Sequence, residues 1–78
     1  MHPKEVIAYL DDLTTKNWIL FNEDNFVCGV EKQIKVYYHR INSISKVKGG
    51  VLILCPGVSI VIYHRGKTPT VKIYDTGV

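Results

Sequence analysis

The chain reads as a mainly β domain of the α+β kind, an N-terminal helix followed by about six short antiparallel strands. Three observations carry that reading. Apolar residues recur at helical spacing only near the start, at Val6, Ile7, Leu10 and Leu13. From Trp18 onward, aromatic and branched runs are cut at short intervals by turn-forming residues. Connections this short favour pairing of successive strands, so the expected architecture is a meander curled into a small barrel or roll.

Each element has its own justification. The helix is expected over about residues 3–13, because Pro3 is tolerated in a first turn and Glu5 suits the positive end of the helix dipole. Asp11 and Asp12 sit at the unfavourable end, and the basic half of the chain is the expected compensation. The meander should occupy about residues 17–75 of a single domain spanning 1–78. Its first strand is Trp18-Ile19-Leu20-Phe21, closed by the turn cluster Asn22-Glu23-Asp24-Asn25. Phe26 to Val30 is the second. The third, Gln33 to about Arg40, alternates, with Ile34, Val36 and Tyr38 on one face and Lys35, Tyr37 and His39 on the other. Ile41, Ile44 and Val47 recur every three residues, which fits neither strand face and predicts a bulge, corner or short helical turn. Gly49-Gly50 predicts a turn and Val51 to Cys55 an apolar strand. Pro56-Gly57 carries the residues of a type II turn, and Val58–Arg65 and Thr70–Asp75 complete the set.

A 78-residue chain hides only about 60–65% of its unfolded surface on folding, so a second copy or another partner is a natural source of added stability. The greasiest stretch, Val51 to Tyr63, is interrupted by Pro56-Gly57 and falls short of the ~20 residues a spanning helix needs. The start, Met1-His2-Pro3-Lys4-Glu5, lacks the basic-then-apolar run of a secretory signal, and a cytoplasmic location is the expectation. Cys28 and Cys55 stand in apolar surroundings without Cys-x-x-Cys spacing, as two reduced thiols would.

Charge is the best functional lead. The net +3 divides into −4 over residues 1–31 and +7 over residues 32–78, where Asp75 is the one acid. Tyr-His-Arg occurs twice in the basic part, as Tyr38-His39-Arg40 and Tyr63-His64-Arg65. Cations interleaved with aromatic rings suit phosphates and exposed bases. The expected function is therefore non-catalytic nucleic-acid binding through Lys35, Tyr37, His39, Arg40, Lys46, Lys48, Arg65 and Lys67. Arg and Lys would neutralise phosphate, and Tyr37 would stack on a base. The alternative is a protein-interaction or assembly module, using the same patch for an acidic partner or a second copy. In the register of their strands, His39 and Arg65 are surface residues, whereas Tyr38 and His64 are structural.

Other chemistry has less behind it. A small metal-independent nuclease could use His39 and His64 as base and acid, provided both faced one phosphate. The His and Cys residues lack the close pairs of a zinc site, and there is no Gly-rich phosphate loop or Gly-x-Ser-x-Gly elbow. No metal or cofactor is expected.

The stretch from Asn25-Phe26-Val27 through Tyr37-Tyr38-His39-Arg40-Ile41-Asn42-Ser43-Ile44 resembles a motif of the bacterial Sm-like RNA chaperones, where a strand enters Tyr-Lys-His-Ala and then Ile-Ser. Tyr37 and His39 match it, while Tyr38 replaces Lys and Arg40 replaces Ala. That resemblance implies uridine binding. The same stretch resembles the strand and Ile-x-x-Ile element of bacterial pleckstrin-homology-like domains, which implies binding of proteins or lipids. It covers about a quarter of the chain and is shared by two unrelated families, so neither is assigned.

Overall fold

Helical spacing at the start of the chain becomes helix α1, Pro3–Asp11, with Val6 and Leu10 on its buried stripe. The structure, a computed structural model, describes residues 1–11, 19–29, 32–65 and 68–75, with backbone alone for 64, 65, 68 and 69. The expected end of the helix at Leu13 and the start of the first strand at Trp18 lie outside the described residues. His2 caps α1: its carbonyl accepts from Glu5 N–H at 3.0 Å and its Nδ1 from Lys4 N–H at 3.1 Å.

The described residues that follow form seven strands in two antiparallel sheets. The first sheet is β1 (Ile19–Phe21), β2 (Asn25–Cys28) and β3 (Ile34–Tyr37). The second is β4 (Ser43–Val47), β5 (Gly50–Cys55), β6 (Val58–Arg65) and β7 (Thr68–Asp75), paired in chain order. Among the described residues no strand of one sheet pairs with a strand of the other, and no closed barrel forms.

Period-two alternation puts one face of each sheet into a common core. In the first sheet the inward rows are Ile19–Cys28–Ile34 and Phe21–Phe26–Val36. In the second, Ile44–Ile53–Ile60 and Val51–Ile62–Val71 face inward, and one buried cluster joins both sheets to Val6 and Leu10 of α1. The thiols of Cys28 and Cys55 are free, and burial pushes both above their ordinary range, Cys28 to about 12.

Two sequence expectations are corrected. The third strand ends at Tyr37 and not near Arg40, because Tyr38–Arg40 form a 3₁₀ turn closed by Ile41 N–H on the Tyr38 carbonyl at 3.1 Å. The helical turn therefore falls before Ile41. Residues Ser43–Val47 beyond it are a regular strand, the one missing from the expected six. Their three-residue spacing straddled a corner: Ile41 is buried in the corner, Ile44 faces the core, and Val47 is on the outer face. Lys46, read as a turn residue, is consequently in β4 opposite Val51, while Lys48 is in the β4–β5 turn.

Glycine is required at two close approaches. Gly29 has φ 126°, and a Cβ there would run into the Lys32 carbonyl. At Gly50 a Cβ would meet the carbonyl of Ile62 on β6.

Candidate nucleic-acid interface

The corner between the two sheets is built around Tyr38. Its ring is buried beside Phe26, with centroids 6.2 Å apart, and Phe26 in turn neighbours Phe21 at 6.2 Å. Its hydroxyl donates to the Asn22 carbonyl at 3.1 Å and its backbone N–H to the Asp24 carbonyl at 3.1 Å. Burial, and secondarily the Asp24 carboxylate, raise the phenol above its ordinary value, so it stays a protonated donor. The β1–β2 turn it grips is itself bonded: Asn22 Nδ2 donates to Asn25 Oδ1 at 2.9 Å and Asn25 Nδ2 to Asp24 Oδ1 at 2.6 Å. The Met1 nitrogen donates to the Tyr38 carbonyl at 3.0 Å, which brings the start of α1 to the same corner.

Anchoring Tyr38 turns its neighbours outward. Lys35 and Tyr37 lie on the outer face of β3, opposite Val27 and Asn25. His39 and Arg40 are exposed on the 3₁₀ turn, and the rings of Tyr37 and His39 are 5.6 Å apart at 47°. Arg40 would have followed Ile34 and Val36 inward in a continued strand; the turn resets that register. Lys35, Tyr37, His39 and Arg40 are thus gathered on one strand and the turn that follows it.

The remaining expected contacts lie elsewhere. Register puts the β4–β5 turn and the end of β6 at one end of the second sheet, while β4 begins at the other, next to the corner. Lys48 therefore lies a strand's length from His39 and Arg40. Lys46 borders a groove of about 480 Å³ between α1 and β4, together with Ala8, Tyr9 and Ser45. Arg65 pairs with Thr68 at the far end of β6, with its side chain outside the described residues, as is Lys67.

Register separates the backbones of the two histidines along the second sheet, and the side chain of His64 lies outside the described residues. Asn42, three residues after His39, donates its N–H to Leu54 at 2.7 Å, and Leu54 pairs with Ser59. His64 is five residues further along β6, about 17 Å at ~3.3 Å per residue. A shared phosphate would need them within hydrogen-bond reach of the same oxygens. Among the described residues no group of three or more His, Cys, Asp or Glu could hold a metal ion, and no helix is long and apolar enough to cross a membrane.

Alternation by itself puts Lys72 and Tyr74 on one face of the last strand, but does not give the rest of the outer face of β4–β7. The exposed Leu54 and Tyr74 on it were legible as apolar letters, but only register shows that they share a face. No protein-family model, curated protein or solved structure matches this chain.

Proposed function

We propose that the protein binds nucleic acid without catalysis, through the basic, Tyr-containing surface of its C-terminal half. The observation that carries this is the corner cluster: two cations, Lys35 and Arg40, flank the neighbouring rings of Tyr37 and His39, all exposed. Cations beside exposed aromatic rings meet the two needs of a nucleotide, phosphate neutralisation and a flat surface for a base. The charge split supports the same reading, since residues 32–78 carry +7. Two free thiols, Cys28 and Cys55, support a cytoplasmic setting, where such groups stay reduced. The proposal also takes the two sheets, joined at the corner around one core, as an open roll.

Titration of a labelled oligonucleotide at two salt concentrations tests the function. Log affinity should fall with log salt by about 0.7–0.9 for each phosphate contact. Lys35→Gln with Arg40→Gln should weaken binding and flatten that slope. Binding that is absent, or indifferent to salt, overturns the proposal.

A second reading is a protein-interaction module for an acidic partner, which would meet the same exposed cations, Lys35 and Arg40. Leu20, on the same outer row as Val27 and Lys35, is 62% exposed. That reading requires a protein captured after nuclease treatment and lost with Leu20→Ser.

A further inference from the structure

We propose that the outer face of the β4–β7 sheet is a platform for single-stranded nucleic acid. This rests on the nucleic-acid reading above and narrows it to strands whose bases are unpaired.

The face is unusual for one turned away from a core. An open face of an antiparallel sheet is ordinarily polar and charged. Here the outward positions with described side chains include no carboxylate: the polar ones are hydroxyl residues and the charged one is Lys72. Val47, Leu54 and Tyr74 are 37%, 39% and 50% exposed on it. Val61, in the middle of the face, is only 8% exposed yet belongs to no part of the core cluster, so its neighbours on this side cover it. Leu52 pairs with Val61, and with Leu54 and Tyr63 they form an apolar line across β5 and β6, with Ser45, Ser59 and Thr70 beside it.

Aromatic rings and a cation are arranged along this face. Tyr63 on β6 pairs with Thr70, and Thr70, Lys72 and Tyr74 are successive outward residues of β7. Tyr63 and Tyr74 are therefore separated by about 13 Å along the strand direction, with Lys72 between them opposite Val61. A ring on a flat sheet can meet a base only when that base is unstacked and splayed, whereas a duplex offers such a surface its phosphates alone. The absence of carboxylates leaves nothing on the face to repel the backbone. The row nearest the corner is Ser43–Leu54–Ser59–Tyr74, with Ser43 three residues after Arg40 in the chain.

The test compares one oligonucleotide as single strand and as duplex, at fixed salt, against wild-type protein and variants. The single strand should bind several-fold tighter than the duplex. Tyr74→Leu should weaken single-strand binding by roughly 5- to 150-fold, the range for loss of one stacked base, and Tyr74→Phe should restore it. Equal binding of both forms, with no effect of Tyr74→Leu but a loss in Lys35→Gln/Arg40→Gln, overturns the platform and leaves the general reading standing. No binding to either form overturns both. Sedimentation showing a second copy on this face, dispersed by Tyr74→Leu, overturns the platform in favour of self-association.

Discussion

Tyr38-His39-Arg40 and Tyr63-His64-Arg65 are the same three residues in opposite situations. The first folds as a 3₁₀ turn with its tyrosine 3% exposed, bonded at both its hydroxyl and its backbone N–H. The second runs straight through β6, and its half-buried tyrosine stands on the outer face, opposite Gly50 on one side and Thr70 on the other. What differs is the register that arrives at each. Ile34 and Val36 lead Tyr38 inward, whereas Ile60 and Ile62 take the inward positions before Tyr63. A tripeptide does not choose its face; the strand that carries it does.

The largest effect separating the two copies is in packing. Tyr38→Ala removes a buried ring from the Phe21–Phe26 cluster and should cost about 3–5 kcal/mol, while Tyr63→Ala should cost about 1 kcal/mol. Urea denaturation measures both, and equal costs would break the comparison. Next is the straightness of the second copy, which depends on close approach at Gly50. Gly50→Ala pushes a methyl group into the Ile62 carbonyl and should cost about 1–3 kcal/mol in the same assay.

Alkaline pH sharpens the contrast further. Burial lifts Cys28 from 9.0 to about 12, and lifts Tyr38 above 10.0, so unfolding releases their protons within those windows. The stabilisation is whole at neutral pH and is lost as pH rises through 9.0 toward about 12 for Cys28. Each proton contributes a slope of about 1.4 kcal/mol per pH unit. Tyr38→Phe should make the decline shallower above pH 10.0. The smallest effect is the hydroxyl itself: at neutral pH Tyr38→Phe should cost about 1 kcal/mol, by leaving the Asn22 carbonyl without its donor.

Much of the fold was legible from short-range pattern. Val58–Arg65 is a strand with the expected bounds, and Pro56-Gly57 turns with Gly57 at φ 76° as a type II turn needs. Lys35, Tyr37 and His39 are exposed as their alternation predicted, and Ile60 and Ile62 are core. The failures cluster at Tyr38–Val47. There the chain leaves one sheet for the other, and a corner mixes two faces into one apparent period of three residues. Alternation cannot register a reset whose cause, the bonds from Tyr38 to Asn22 and Asp24, lies 16 and 14 residues away.

The sequence alone determined the helix, the number of turns within one strand of the total, and the segregation of acids from bases. These follow from local propensity, periodicity and composition, none of which needs a distant partner. Tertiary structure decided which copy of Tyr-His-Arg faces the core, that Lys46 sits in a strand opposite Val51, and that the outer positions of β4–β7 form a face without a carboxylate. The physical reason is that a face is a property of register between strands, and register is set by long-range burial and hydrogen bonding.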